Sequence, residues 1–413
     1  MREVFVVGVG MTPFGVHAEL STGDMARAAV TTALNDAGAK ANDVGATFYA
    51  NTVSGAIEGQ YGMKGQHALR PLGIEGGPLV NIENACAGSS TALNLAVTQV
   101  AAGLAEVALA VGSEKLNTDD RVKRAGAFGQ PLDVDAMKKF LEACGPLAAD
   151  IKPPPEVVID PKMFSLFMEG YALQAKLHMK KYGTTWRQLA VVSAKNHHHS
   201  TMNPLAQFQK DFTPEQILAG KVVAWPLTMP MCAPISDGAA AVLVCSKDAL
   251  SRFDRKRAVK VLASELVSGT TRDFYDVART GIKRASTAAY ERAGIGPKDI
   301  GVAEVHDASA YAEINQTEQC GLVPLGEGGI AAERGDTKLG GRIPVNTAGG
   351  LESRGHPVAA TGAAQIHELV LQLRGEADKR QVDGARFALA STSGGFIGVE
   401  DGATCVTILG RLS

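Results

Sequence analysis

The chain opens on an apolar run, Val4-Phe5-Val6-Val7-Gly8-Val9-Gly10, with no polar position and a closing glycine. A run without alternation predicts a strand buried on both faces. Behind it, apolar residues recur at helical spacing and stop at Ala37-Gly38, which predicts a helix from Asp24 to Asp36. Further strands are predicted over 46–50, 79–82 and 107–111, with a helix of small residues from Ala92 to Ala102 between the last two. Strands alternating with helices define an α/β fold with buried strands. Residues 117–234 break the rhythm. They contain Pro153-Pro154-Pro155, a predicted kink, and an amphipathic helix from Phe167 to Tyr182. An irregular insert on a layered core is expected to carry substrate-binding loops.

The pattern also repeats. The stretch Ala33 to Ala46 reads as helix, Ala-Gly stop, acidic turn, strand, and Ala289 to Val302 reads the same way. Ala37, Gly38, Asp43 and Gly45 recur at one constant offset as Ala293, Gly294, Asp299 and Gly301. A small-residue pattern returns again at Ala359-Ala360-Thr361-Gly362-Ala363-Ala364. Duplication of one βα unit explains these echoes better than chance. It predicts two similar halves whose equivalent loops face one cleft.

Composition narrows the function. Hydrophobic residues at 45% and charged residues at 20% suit a soluble globular protein. A formal net charge of -2 leaves no basic footprint for nucleic acid. No apolar run nears the ~18 residues of a membrane span. Six cysteines are scattered without a C-x-x-C pair, so neither a zinc ribbon nor a thioredoxin motif is present, and no metal is expected at the site. With Met1-Arg2-Glu3 running directly into a strand, no leader is expected, and a reducing, cytoplasmic compartment is the expectation.

Two motifs carry chemistry. In Asn84-Ala85-Cys86-Ala87-Gly88-Ser89-Ser90-Thr91, a cysteine sits where a strand turns into a helix. Free N–H groups and the positive dipole end there are expected to favour its thiolate, the state of an activated nucleophile. Far downstream, Gly349-Gly350-Leu351-Glu352-Ser353-Arg354-Gly355-His356-Pro357 supplies the base such a thiol needs, with glycines that let the backbone approach a ligand. His306 follows the apolar strand Val302 to Val305, a strand end of the kind where α/β sites collect. The histidines at 197–199 would point in divergent directions on any regular element. A surface or local hydrogen-bonding role is expected for them instead of a metal site. Lys64, Arg70 and Lys195 have the charge to meet phosphates, with nothing to single them out. Trp186 and Trp225 are expected to pack.

With Val7-Gly8-Val9-Gly10-Met11-Thr12-Pro13-Phe14-Gly15, Lys195-Asn196-His197, Pro234-Ile235-Ser236-Asp237-Gly238 and His306-Asp307-Ala308-Ser309, the two motifs resemble the thiolase superfamily, in its sterol-carrier-protein-type branch. The resemblance implies a five-layered αβαβα core of two similar halves plus an inserted loop domain. Residues 1–116 with 235–250 would form the first half, 117–234 the loop domain contacting coenzyme A, and 251–413 the second half. It implies an acyltransferase that cleaves a 3-oxoacyl-CoA through acyl-Cys86, with His356 as base and His306 at the oxyanion site. Gly394 and Gly395 would form the oxyanion turn. Asp307 would orient a neighbour or cap the next helix. Coenzyme A would be co-substrate with no permanent cofactor. The assembly would be a homodimer or larger, and, as for several thiolase-like proteins of this branch, the resemblance allows a small zinc-ribbon, OB-fold partner subunit.

One departure stands out. Where thiolases carry a second, acid–base cysteine, this chain has Thr392 in the glycine turn and Ala308 in the His-Asp motif. Neither a hydroxyl nor a methyl acts as a base near neutral pH. Cys320 is a weak substitute. The smaller Ala308 opens volume, so a bulky, aryl or α-branched substrate is expected. Alternatives are a thiolase-like aldolase without an acyl-enzyme, or a non-catalytic subunit.

Overall fold

The computed structural model describes residues 2–412. Eleven strands are β1 Val4–Met11, β2 Ala46–Ala50, β3 Leu79–Ile82, β4 Val107–Glu114, β5 Val222–Ala224, β6 Leu227–Thr228, β7 Gly238–Ser246, β8 Val259–Ser268, β9 Val302–Val305, β10 Phe387–Phe396 and β11 Asp401–Arg411. All but the β5–β6 pair join one nine-stranded sheet of order β3-β2-β4-β7-β1-β8-β11-β10-β9.

That order is one motif written twice and joined edge to edge. In the second half β8, β9, β10 and β11 take the places of β1, β2, β4 and β7, and Val345, bridged in parallel to Ala303, stands where β3 would be. The seam is antiparallel and short, Val4 to Val6 against Val259 to Val261. Helices Gly88–Ala101 and Thr361–Arg374 lie against each other and touch strands of both halves, forming a central layer. Thr22–Ala37 covers β1 and β7 outside one half, and Gly281–Ala293 covers β8 and β11 outside the other. The result is αβαβα. The middle helices must fit between two sheets, which explains their small residues: a Cβ on Gly362 would lie 1.9 Å from Ser90 Oγ.

The expected elements form, with longer ends. The first helix starts at Thr22, where Ser21 and Asp24 make a reciprocal cap, and ends at Gly38 with φ 66°. Its echo ends at Gly294 with φ 69°. Both copies then fold a one-turn helix closed by an aspartate: Asp43 accepts from Lys40 N at 2.8 Å and Asp299 from Gly296 N at 2.7 Å. The recurring acidic residue is thus a turn-former. The small-residue helix begins at Gly88, four residues before the expected Ala92, because a one-turn helix over Ala85–Ala87 leads into it.

Residues 117–234 contain helices Leu166–Tyr182 and Trp186–Ser200, packed into an apolar cluster with Ala308 and Phe396. Trp186 and Trp225 pack edge to face at 4.7 Å. Asp237, wholly buried, accepts from Leu116 N and Asn117 N, both at 2.8 Å, and so clasps the two ends of this segment together. No helix among the described residues is long and apolar enough to cross a membrane.

Candidate active site

Cys86 lies in the turn between β3 and helix Gly88–Ala101. The preceding residue, Ala85, has φ 46°, a conformation that costs a non-glycine residue about 1–3 kcal/mol. This strained elbow turns the sulfur inward. Gly394 presses on the elbow from β10: a Cβ there would lie 2.3 Å from Asn84 O and 2.6 Å from Ala87 N. Only glycine lets the two backbones meet this closely. The Gly395 N–H is directed at Cys86 Sγ, as is the cysteine's own N–H.

His356 arrives from the other half, its Nε2 3.2 Å from Cys86 Sγ. Its Nδ1 lies 2.7 Å from Thr361 Oγ1, on the first turn of the second central helix. Its backbone N–H donates to Ser236 Oγ at 2.8 Å, and the strand-like piece at Ile235 bridges it in parallel. His306 follows β9 and packs edge to face on His356 at 5.3 Å. Cys86 Sγ and one ring nitrogen of each histidine lie within 4.8 Å of one another. His306 Nε2 is buried without a protein partner among the described residues. An orphaned donor or acceptor here is free for a ligand oxygen.

Burial decides the charges. It pushes the Cys86 thiol up to about 12, helped by the negative fields of Asp401 and Glu114 and opposed by the two N–H groups. The expected helix-end stabilisation of a thiolate is therefore outweighed in the free protein. Burial likewise lowers His306 to about 3 and holds His356 well below its ordinary value, with His306 and Arg354 adding to the latter effect. The pair at rest is a neutral thiol beside a neutral imidazole.

Asp307 bonds to backbone and to Asn196, not to the Cys86–His356 pair. Its carboxylate accepts from Leu351 N at 2.8 Å, Glu352 N at 3.3 Å and Asn196 Nδ2 at 3.1 Å. It fixes the turn ahead of His356 and so acts on a neighbour. The cap of helix Ala310–Gln319 is Ser309. The glycines of that turn serve the protein and not a ligand: side chains at Gly349 and Gly350 would strike Ser200 and Asp307. Lys195 is corrected too. It is buried, with Nζ 2.6 Å from Glu313 Oε1 and 2.8 Å from Val345 O, and cannot reach a phosphate.

The three histidines do diverge, but only His198 lies at the surface, beside Asp211. His197 is buried between Pro230 O and Ser353 Oγ, and His199 between Asn346 O and the Leu339 N–H. Their bonds join distant segments. Thr392 turns away from Cys86: its hydroxyl accepts from Ser90 Oγ at 2.9 Å and donates to Gln365 Oε1. Cys320 sits in the outer apolar cluster with Tyr290 and Ile282, apart from Cys86. The sequence reading missed Ser236 and Thr361 as supports of His356. The signal for Thr361 was its place five residues on, in the first turn of the following helix.

A thiol–imidazole pair thus stands at the mouth of a central helix, on a doubled βα sheet. The profile described as "Thiolase, N-terminal domain" matches residues 4–224, and "Thiolase C-terminal domain-like" matches 265–411. The chain belongs to the thiolase family. It is 37% identical to an acetyl-CoA acetyltransferase of Methanothermobacter thermautotrophicus, over 96% of this chain and 97% of that one. It is 34% identical to benzoylsuccinyl-CoA thiolase subunit BbsB of Thauera aromatica, over 95% of each. Among solved structures, the Ltp2-ChsH2(DUF35) aldolase shares the fold, with a TM-score of 0.76, 22% identity and coverage of 99% of this chain and 98% of that one.

Proposed function

We propose that this protein is a coenzyme A-dependent thiolase that cleaves a 3-oxoacyl-CoA through an acyl-Cys86 intermediate. The Cys86–His356 contact at 3.2 Å carries the reading. With the Nδ1 proton turned to Thr361, His356 Nε2 accepts the thiol proton as sulfur attacks the 3-oxo carbon. The carbonyl oxygen is received by the Gly395 N–H and His306 Nε2. Carbon–carbon cleavage leaves acyl-Cys86, and the coenzyme A thiol then takes the acyl group. No resident cofactor enters this scheme; coenzyme A is the co-substrate.

The substrate is a bulky, aryl or α-branched 3-oxoacyl-CoA. Ala308 puts a buried methyl, packed with Phe396 and Tyr171, where other thiolases of this branch carry a larger thiol side chain. The benzoylsuccinyl-CoA relative supports an aryl group. Residues 117–234 form the coenzyme A-contacting insert, the working unit is a homodimer, and a small partner comparable to the DUF35 component of the aldolase completes it in the cytoplasm.

Intact mass after incubation with acetoacetyl-CoA and benzoylacetyl-CoA tests this, with Cys86→Ala as control. An acyl adduct absent from the variant is expected, larger in yield from the aryl compound. Cleavage without any adduct would leave the aldolase reading instead, and a clear preference for acetoacetyl-CoA would sink the bulky-substrate assignment.

A further inference from the structure

The thiolase reading leaves one proton without a carrier. Thr392 faces Gln365, Ala308 has only a methyl, and Cys320 lies in another cluster. A small cavity beside the site holds a different candidate. Its walls include His306, Ser393, Tyr171, Phe396, Gln316 and Asp401. Asp401 opens β11 directly across from Phe396, and the next pair along the hairpin, Gly394 with Ala403, is the one pressed on the Cys86 elbow. The carboxyl is thus carried on the same rigid hairpin that supplies the Gly395 N–H.

The surroundings hold Asp401 in place without neutralising it. The neighbouring Glu400 pairs with Arg272 and accepts from Gly281 N at 2.8 Å, and Arg272 donates to Val399 O at 3.0 Å. Asp401 itself has no ion-pair partner among the described residues and is half-buried. The charged or titratable groups around it are Glu400, Arg272, His306, Cys86, Tyr171 and Tyr311.

We propose that Asp401 is the acid–base group for the substrate α-carbon, doing from the β10–β11 hairpin what a second cysteine does in other thiolases. In cleavage, the C2–C3 bond breaks as Cys86 sulfur keeps the acyl carbon. Its electron pair goes to C2 as the enolate of the departing acyl-CoA. Asp401 gives its proton to C2 and becomes a carboxylate. The incoming coenzyme A thiol returns a proton to Asp401 as its sulfur attacks acyl-Cys86, and the released Cys86 sulfur recovers its own proton from His356. In condensation the carboxylate removes the C2 proton. Burial and the charge of Glu400 push the Asp401 carboxyl up to about 7, against the pull of Ser393 and Arg272, so both forms are populated near neutrality.

The assignment rests on the thiolase reading, and two readouts separate them. The first is acyl-Cys86 formation from benzoyl-CoA by intact mass, a thioester exchange that breaks no carbon–carbon bond and so does not need Asp401. The second is deuterium exchange at C2 of acetyl-CoA in heavy water, which needs no acyl-enzyme. In Asp401→Asn, exchange and cleavage should fall by about 10²-fold or more, while acylation of Cys86 by benzoyl-CoA stays within about threefold. Asp401→Glu should retain part of the exchange. Wild-type exchange in Asp401→Asn overturns the proposal. Loss of exchange and acylation together also overturns it, showing a structural role. No adduct in the wild-type protein removes the acyl-enzyme reading, and exchange in the two variants still decides on Asp401.

Discussion

Cys86 and His356 are both uncharged at rest, so acylation starts with proton transfer in step with attack. Cys86 ionises only near 12 and His356 only well below 6.5, so neither titrates across neutrality. The acylation rate measured by stopped-flow mass analysis should therefore show no inflection between about pH 6 and 9. His356→Asn should slow it by about 10²–10⁴-fold, the usual worth of a positioned base. The carbon–carbon step should behave differently. Cleavage needs the protonated Asp401 and should decline as pH rises through about 7, whereas α-proton exchange needs the carboxylate and should increase over the same range.

The element that matters most is the elbow under Cys86, pinned by β10. Gly394→Ala places a methyl 2.3 Å from Asn84 O, where only backbone could yield. The expected cost is about 1–3 kcal/mol of stability, with a loss of acylation exceeding the loss of fold, checked by thermal melting beside adduct formation. The loop before His356 rests on a wholly buried pair, Arg354 Nη1 to Glu304 Oε2 at 3.2 Å. Arg354→Ala strands Glu304 in the interior and should destabilise by about 3–5 kcal/mol in chemical denaturation. Glu304→Gln should cost less, because burial already pushes that carboxyl up to about 7.

At the scale of the whole molecule, buried titratable groups set acid stability. His199, His306 and His367 are lowered to about 3, 3 and 4 from 6.5. Stability from such depressed values is present above 6.5 and lost as pH falls through the folded pKa. Glu3, held near 2 by Lys247 and Lys260, acts in the same direction below its ordinary 4.5. Glu114, Glu304 and Asp401 are raised to about 7, so their contribution is present at low pH and lost as pH rises through about 7. The two sets oppose each other between 4.5 and 6.5. Melting temperature should then fall steeply only below pH 4.5, and His306→Asn should flatten that fall in a scanning fluorimetry series.

Local pattern by itself determined the α/β alternation, the glycine stops of the first helix and its echo, and the duplication. Each of these depends on neighbours in the chain: an unbroken apolar run, a glycine at the helix end, an aspartate closing a turn. Motif resemblance singled out Cys86, His356 and His306 because their flanking glycines and small residues are contiguous. Tertiary structure alone decided what the side chains do. Asp307, Lys195 and His199 carry reactive groups, yet burial directs each of them to the protein's own backbone or to a neighbouring side chain. The thiolate expected from the helix end was overruled by desolvation, a property of the assembled core and not of the motif. Asp401 was invisible in the sequence, lying 315 positions from Cys86 in a strand that reads as ordinary. Only the β10–β11 hairpin places it on the wall of the small cavity that His306 also lines.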